Sequence, residues 1–252
     1  MNSVNRFSSR VENYAEYRPG YPPGILEVLK LDCGLTEESV IADIGSGTGL
    51  LSEAFLKNGN VVLGIEPNEL MKAKAEDLLK SFAKFRSVSA TAETTTLPDG
   101  SIDFITAGQA FHWFDREAAK REFARLLKPD GWVVLVWNAR RLAATPFLRD
   151  YEGLLLRYSP DYPGVRHENV DDEIGGFFAP QPMKLVSLEN VQRFDFEAVK
   201  GRLCSSSYAP EPGNPNFERM LKDLQDIFNE HNENGVVNFD YDTRVYYGRL
   251  RS

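Results

Sequence analysis

Little in this chain points to cross-linking, membrane insertion or polyanion binding. It has two cysteines in 252 residues, Cys33 and Cys204, in unlike contexts and without the spacing of metal ligands. Neither a disulfide framework nor a metal site is therefore expected, and a reducing, cytoplasmic setting fits best. No apolar run approaches the roughly eighteen residues that cross a bilayer. The N-terminal stretch MNSVNRFSSRVENYAEYRPGY lacks the apolar segment of a secretory signal. Basic residues are outnumbered, 29 Lys and Arg against 37 Asp and Glu, for a net charge of -8. Such a balance speaks against a general nucleic-acid binder. The expected partner is a small molecule, with no nucleic acid and no membrane. What remains is an ordinary globular composition, 42% hydrophobic, in a chain long enough for one large domain.

The most informative segment is VIADIGSGTGLLS, from Val40 to Ser52. Val40, Ile41, Ala42 and Ile44 read as a buried parallel strand, and Leu50, Leu51, Ala54 and Phe55 open an amphipathic helix that ends near Gly59. Between them Gly45, Gly47 and Gly49 stand at every second position, with Asp43 just ahead. Glycine takes positive φ and offers no Cβ to block a close approach, so a ligand is expected to lie against bare backbone. The dinucleotide fingerprint G-x-G-x-x-G wants its third small residue at position 50, where this chain has Leu50. That spacing argues against a nicotinamide or flavin enzyme.

The rest of the first half alternates helix and strand, which implies a doubly wound parallel α/β sheet. A short helix covers Ile25 to Lys30, the second strand is Val61 to Ile65, and a third, weaker strand lies around Phe85 to Ala90. Met71, Ala75, Leu78, Phe82 and Phe85 recur at helical spacing along one face. Pro98-Asp99-Gly100 is a turn before a fourth strand, Ile102 to Ala107. A helix from near Asp115 stops at Lys128-Pro129-Asp130-Gly131, and Trp132 to Trp137 is the fifth strand. Beyond it, Pro146 to Tyr158 reads as helix and Ser159 to Pro182 as an irregular connection. Lys184 to Phe194 reads as a strand, Phe196 to Ser206 and Phe217 to Asn234 as helices, and Val237 to Tyr247 as a last strand.

Two further places carry chemistry. Glu66 ends the second strand, 21 residues after Gly45, where a carboxylate in this topology accepts hydrogen bonds from both ribose hydroxyls of a nucleoside. Pro67 follows it, and Asn68 and Met71 sit where the base would pack. The segment Gln109-Ala110-Phe111-His112-Trp113-Phe114-Asp115 follows the fourth strand at the carboxyl end of the sheet, where open α/β folds bind ligands. Asp115 is read as the N-cap of the next helix.

The pattern acid-x-G-x-G-x-G resembles the first motif of class I S-adenosylmethionine-dependent methyltransferases. Tyr14-x-x-Tyr17-Arg18-Pro19-Gly20-Tyr21-Pro22, ADIGSGTGLLS, GIEPNELM, GQAFHWFD and LLKPDGWVVLVWN together are similar to small-molecule members of the type 11, trans-aconitate methyltransferase-like subgroup, over roughly residues 7 to 138. The resemblance implies a Rossmann-like, mostly parallel seven-stranded sheet with an antiparallel edge strand, all in one domain over 1–252. Residues 1–23 would form an arm or lid and 24–138 the cofactor-binding core. Residues 139–252 would supply the substrate-side helices and the last two strands.

By the same resemblance S-adenosyl-L-methionine is the cofactor and S-adenosyl-L-homocysteine the product. Ser46, Thr48 and the loop glycines would serve its amino acid end, with Asp43 taking the ammonium directly or through water and Arg18 meeting the carboxylate. Ala92 and Glu93 would read the adenine edge, and Gln109 and Ala110 would touch the methionine part. His112 and Trp113 would wall the transferring methyl, and Tyr14 or Tyr17 would close the site. His112 is read first as a residue that orders its loop and second as a general base. The acceptor is expected to be a small molecule methylated on a carboxylate or hydroxyl oxygen, and Arg140, Arg141 and Arg166 are candidate clamps for a carboxylate. No Asp/Asn-Pro-Pro-aromatic motif follows the fourth strand, which argues against methylation of nucleobase amino groups. The alternatives are a non-catalytic adenosylmethionine-binding sensor or partner and, more remotely, a dehydrogenase. A monomer or homodimer is expected.

Overall fold

The computed structural model describes residues 12, 16–160, 162, 170–206 and 208–251. Tyr14 and Arg166 lie outside them. The elements run α1 (Gly24–Cys33), β1 (Val40–Ile44), α2 (Leu50–Lys57), β2 (Val61–Ile65), α3 (Glu69–Leu78), β3 (Phe85–Val88), β4 (Ile102–Gly108), α4 (Arg116–Leu126) and β5 (Leu127–Arg140). They continue with α5 (Pro146–Tyr158), α6 (Val170–Phe178), β6 (Met183–Phe194), α7 (Phe196–Cys204), α8 (Phe217–His231) and β7 (Val237–Gly248).

The strands form one seven-stranded sheet in the order β3-β2-β1-β4-β5-β7-β6. Strands β1 to β5 pair in parallel, whereas β7 runs antiparallel to both β5 and β6. The antiparallel edge is thus built with β7 inserted between β5 and the outermost strand β6. Strand order reverses between β1 and β4, and ligands of open α/β sheets bind at such a switch point, outside the carboxyl ends of the strands.

Alternation along the central strands serves two cores, because successive strand residues face opposite sides. Val133, Leu135 and Trp137 of β5 join Phe123 of α4 and Phe177 of α6 on one face. Val134 and Val136 join Leu29 of α1, Phe55 of α2 and Ala75 of α3 on the other. A third core lies beyond the sheet's central strands, where Phe239 and Tyr241 of β7 meet Phe147, Tyr151 and Leu155 of α5, Val199 of α7 and Leu224 of α8. Side chains set the helix starts: Asn68 accepts from the amides of Leu70 and Met71, Asp115 from Ala118, Thr145 from Leu148 and Asp195 from Ala198. Among the described residues no helix is long and apolar enough to cross a membrane.

Besides shifts of a few residues at element ends, three differences from the sequence reading have a packing cause. Helix α3 stops at Leu78, which is 48% exposed, while Leu79 is buried and Phe85 opens β3. The apparent five-residue stripe therefore joins a helix face to the next strand. Lys128 to Gly131, read as a helix stop, is the extended start of β5: Leu127 pairs with Ile102 across a register shift, and Lys128 Nζ donates to Asp103 at 2.8 Å. A proline is admitted there because a bulge frees its position from the ladder. Helix α6 occupies a segment read as irregular, its Gly175-Gly176 pair masking the buried Ile174, Phe177 and Phe178.

Phe239 is fully buried, with ring centroids 5.0 Å from Tyr151, 5.3 Å from Phe147 and 5.4 Å from Phe194. Phe239→Ala is expected to cost about 3–5 kcal/mol in urea unfolding. Leu185→Ala, at a site 48% exposed on edge strand β6, should change stability by less than about 0.5 kcal/mol.

Candidate functional site

The site forms where the carboxyl ends of β1, β2 and β4 meet. The amides of Gly45 and Ser46 both donate to the Ile65 carbonyl, at 2.8 and 3.1 Å, so the glycine loop is fastened to the end of β2. Gly45 has φ +66°, and a Cβ there would lie 2.6 Å from the Ala110 Cβ. Its missing side chain is what lets the loop after β4 close on the loop after β1. Gly47 has φ +56°, and among the described residues no heavy atom beyond its chain neighbours lies within 4 Å of where a Cβ would stand. Backbone left bare and facing open space is the arrangement that lets a ligand approach a main-chain amide.

Glu66 completes this part. Its Oε2 accepts from the Gly47 amide and its Oε1 from the Asn68 amide, both at 2.9 Å, and the residue is 8% exposed. Burial raises its pKa, with the two amides pulling it back. A carboxylate has about four lone-pair sites. Two remain for ligand hydroxyls, on a group already oriented. Asp43 is 1% exposed, and its oxygens accept from Ser52 Oγ at 2.6 Å and Thr106 Oγ1 at 3.0 Å. Burial pushes its pKa up to about 6, against those two hydrogen bonds and one from the Ser52 backbone amide. It thus ties β1, α2 and β4 together beneath the loop. Thr48 is 2% exposed and its hydroxyl has no hydrogen-bond partner, which makes it a buried polar atom beside the bare backbone at Gly47.

Around this centre the structure gathers most of the residues singled out in the sequence. Met71 and Ala92 are buried and Pro67 is half-buried. Glu93 Oε1 accepts from the Asp115 amide at 2.9 Å, joining the loops after β3 and β4. Gln109 stands at φ +57°, a conformation side-chain-bearing residues rarely adopt, and its amide donates to Val136. Phe111–Trp113 is a 3-10 turn. The His112 ring lies between Trp113, at 4.4 Å, and Trp137, at 5.2 Å, while Trp113 is 39% exposed. These three rings make a wall beside Ala110.

The N-terminal arm crosses the carboxyl ends of β4 and β5. Asn138 Nδ2 donates to the Pro19 and Gly20 carbonyls at 3.4 and 3.2 Å, and Asn190 Nδ2 to Gly20 at 2.9 Å. The Tyr21 hydroxyl fills the space where a Cβ on Gly108 would stand. Tyr17 packs its ring on Gly201 of α7, and Arg18 Nη2 donates to the Ser205 carbonyl at 3.0 Å. Both side chains are thereby held toward α7. Arg141 is committed to Asp242, at 2.7 Å, and to Glu189, at 3.2 Å. Arg140 points into the C-terminal half, with its Nη2 2.5 Å from Glu152. Asn138, Ser52, Thr106 and Tyr21 were not singled out in the sequence; Asn138 and Pro19 are 119 positions apart, and no local pattern links them. Among the described residues, Asp150, Glu230 and His231 place potential metal-ligand atoms within 4.8 Å of one another, between α5 and α8.

A switch-point glycine loop, a buried strand-end carboxylate and an aromatic wall thus meet at one end of the sheet of an α/β domain. Residues 42–135 match the family model of the methyltransferase domain. An uncharacterized methyltransferase of Schizosaccharomyces pombe is 34% identical over 141 residues, 53% of this chain and 53% of its own length. A second methyltransferase-like protein of that organism is 31% identical over 163 residues, 64% of this chain and 61% of its own. The chain thus spans between half and two thirds of the length of these curated relatives. A solved structure from Anaeromyxobacter dehalogenans shares the fold, with a TM-score of 0.69 at 23% identity, over 93% of this chain and 99% of that one. Over residues 42–135 the chain is thus similar to methyltransferase domains, and its fold is shared with a solved structure of that kind. S-adenosyl-L-methionine, the cofactor of the class I methyltransferases that the chain resembles, suits the residues present: bare backbone at Gly47, an orphaned Thr48 hydroxyl and a pre-oriented Glu66.

Two predictions separate ligand contact from packing. Gly45→Ala drives a methyl into Ala110 and should cost about 1–3 kcal/mol of stability. Gly47→Ala meets no protein atom, so its stability loss should be confined to about 1–2 kcal/mol of left-handed strain, with a loss of cofactor affinity seen by calorimetry. The raised Asp43 pKa has a defined sign. Between about pH 4 and 6 the folded protein keeps a proton there that the unfolded chain releases, so stability falls as pH rises through that window, by about 3 kcal/mol. Asp43→Asn should accordingly be more stable than the parent at pH 7 without cofactor, and the gap should close near pH 4 in urea titrations.

Proposed function

We propose that this protein transfers a methyl group from S-adenosyl-L-methionine to an oxygen of a small-molecule acceptor, a carboxylate or a hydroxyl. The observation that carries the reading is the Gly47–Glu66 pair: a positive-φ glycine with open space above it, whose amide orients a buried carboxylate at 2.9 Å. When bound, the cofactor supplies a methyl carbon already activated by a positive sulfur.

The chain's own residues then bind, orient and exclude water. Glu66 would accept from the ribose hydroxyls. The amides around Gly47, with the Thr48 hydroxyl, would take the amino acid end. Met71 and Ala92 would flank the base, with Glu93 at its edge. Asp43, buried beneath the loop with its oxygens engaged by Ser52 and Thr106, acts as the positioning residue that holds the loop. His112, Trp113 and Trp137 wall the side on which the acceptor approaches, and the arm through Tyr21 closes over Gly108. Alignment and water exclusion are what an in-line displacement asks of a protein. A carboxylate acceptor is ionised at neutral pH and needs no general base. The reading of His112 as a residue that orders the wall agrees with its place between two indole rings.

The test is production of S-adenosylhomocysteine by the purified protein, incubated with S-adenosylmethionine and panels of carboxylic acids, phenols and amines. Glu66→Ala should weaken cofactor binding at least tenfold by calorimetry. His112→Ala should lower turnover in a way that high pH does not restore. Binding of a nicotinamide dinucleotide in place of adenosylmethionine would overturn the reading, and cofactor binding without turnover on any panel would reduce it to a sensor.

A further inference from the structure

Among the described residues, the third core holds more positive charge than its neighbours balance. Arg202 of α7 is 7% exposed, and among the described residues no carboxylate lies within ion-pair distance of it. Its partners are hydroxyls: Tyr241 at 3.4 Å, Ser205 at 3.5 Å and Ser206 at 3.2 Å. These sit at or beyond the long end of ordinary hydrogen bonds, whereas a satisfied guanidinium pairs with a carboxylate at about 2.7–2.9 Å. Arg140, at the end of β5, has a side chain only 9% exposed. Its Nη2 is held by Glu152 at 2.5 Å and Tyr162 at 3.0 Å, and its guanidinium lies 4.9 Å from the Tyr151 ring centre. Its Nη1 is buried without a hydrogen-bond partner.

The two arginines face one space. Arg140 and Tyr241 are register partners across β5 and β7, and directly opposed residues of an antiparallel pair point to the same side. The Tyr241 hydroxyl is the one that Arg202 approaches. Arg18 reaches the same helix end through the Ser205 carbonyl. Tyr208 packs on Tyr162 at 4.8 Å and also lines a cleft of about 470 Å³ with Tyr158, Pro160 and Pro210. Through Tyr208 that cleft lies next to Tyr162, the partner of Arg140. The arm links it to the methyl-donor side, since Gln192 bonds both the Tyr241 hydroxyl and the Tyr17 carbonyl.

Burying guanidinium groups in excess of carboxylates is strongly unfavourable unless something anionic completes the set. We infer that Arg140 and Arg202 form the binding site for a carboxylate of the methyl acceptor, with Tyr241, Tyr162 and Ser206 as hydroxyl partners. The inference rests on the methyltransferase reading and narrows its acceptor to an acid. A planar carboxylate suits both the buried Nη1 of Arg140 and the weakly engaged Arg202 fork.

The test uses the whole protein, saturated with S-adenosylhomocysteine, at constant ionic strength. Succinate, citrate and benzoate are titrated by calorimetry beside their neutral methyl esters and inorganic phosphate. At least one acid should bind, with its ester and phosphate at least tenfold weaker. Arg202→Gln should weaken that acid tenfold or more, Arg202→Lys should recover part of the loss, and adenosylhomocysteine affinity should stay within twofold in both. Acid and ester binding alike, or phosphate equalling the best acid, overturns the site without need of any variant that might misfold. So does an Arg202→Gln protein that folds and binds the acid unchanged. If acids bind but adenosylhomocysteine does not, the methyltransferase reading falls and the carboxylate site stands. If only neutral acceptors are methylated, the site falls and the methyltransferase reading stands.

Discussion

Everything at the site depends on fastening the glycine loop to the end of β2. The Ile65 carbonyl takes two successive amides, Gly45 and Ser46, and the next residue of that strand, Glu66, takes a third from Gly47. Three main-chain donors are thereby fixed by one neighbouring strand end. Without that fastening a run of positive-φ glycines would sample many conformations, and a ligand would have to order them on binding. With it, the loop's ordering is accomplished by folding, and binding energy is left for the ligand.

That order is maintained against electrostatic cost. Asp43 and Glu66 are both buried and both titrate high, because desolvation disfavours their charged forms more than their hydrogen bonds favour them. Two carboxyls held this way, with a left-handed Gln109 close by, concentrate unfavourable terms at the carboxyl ends of β1, β2 and β4. The rest of the domain offsets them through three apolar cores and a sheet whose central strands are covered on both faces.

Much of this was legible in the sequence, for identifiable reasons. Strand β1, the glycine loop and α2 follow from local rules: apolar continuity, the conformational freedom of glycine and helical periodicity. Glu66 was legible because the length of a helix and a strand fixes where β2 must end. Asp115 was legible as a cap, and Oδ1 of its side chain does accept from the Ala118 amide. The failures are equally physical. Helix α6 was hidden by Gly175 and Gly176, which lower helix propensity while three large apolar residues still bury one face. The start of β5 was hidden by a proline and a glycine that usually end elements and here sit beside a register shift.

The sequence by itself determined the parts that chain-neighbour physics controls: the alternating α/β order, the loop that exposes backbone and the acid that answers it one strand away. Tertiary structure decided which of three similar glycines is left with open space above it, because packing against Ala110 distinguishes Gly45 from Gly47 and packing against Leu79 distinguishes Gly49. It turned Arg18 toward α7, tied the arm to Asn138, and paired Arg141 with Asp242 while burying Arg140 beside Tyr151. These outcomes join residues a hundred or more positions apart, or set adjacent arginines on opposite sides of one strand. Such choices depend on which surfaces meet when the sheet closes, and no periodicity or spacing along the chain encodes them.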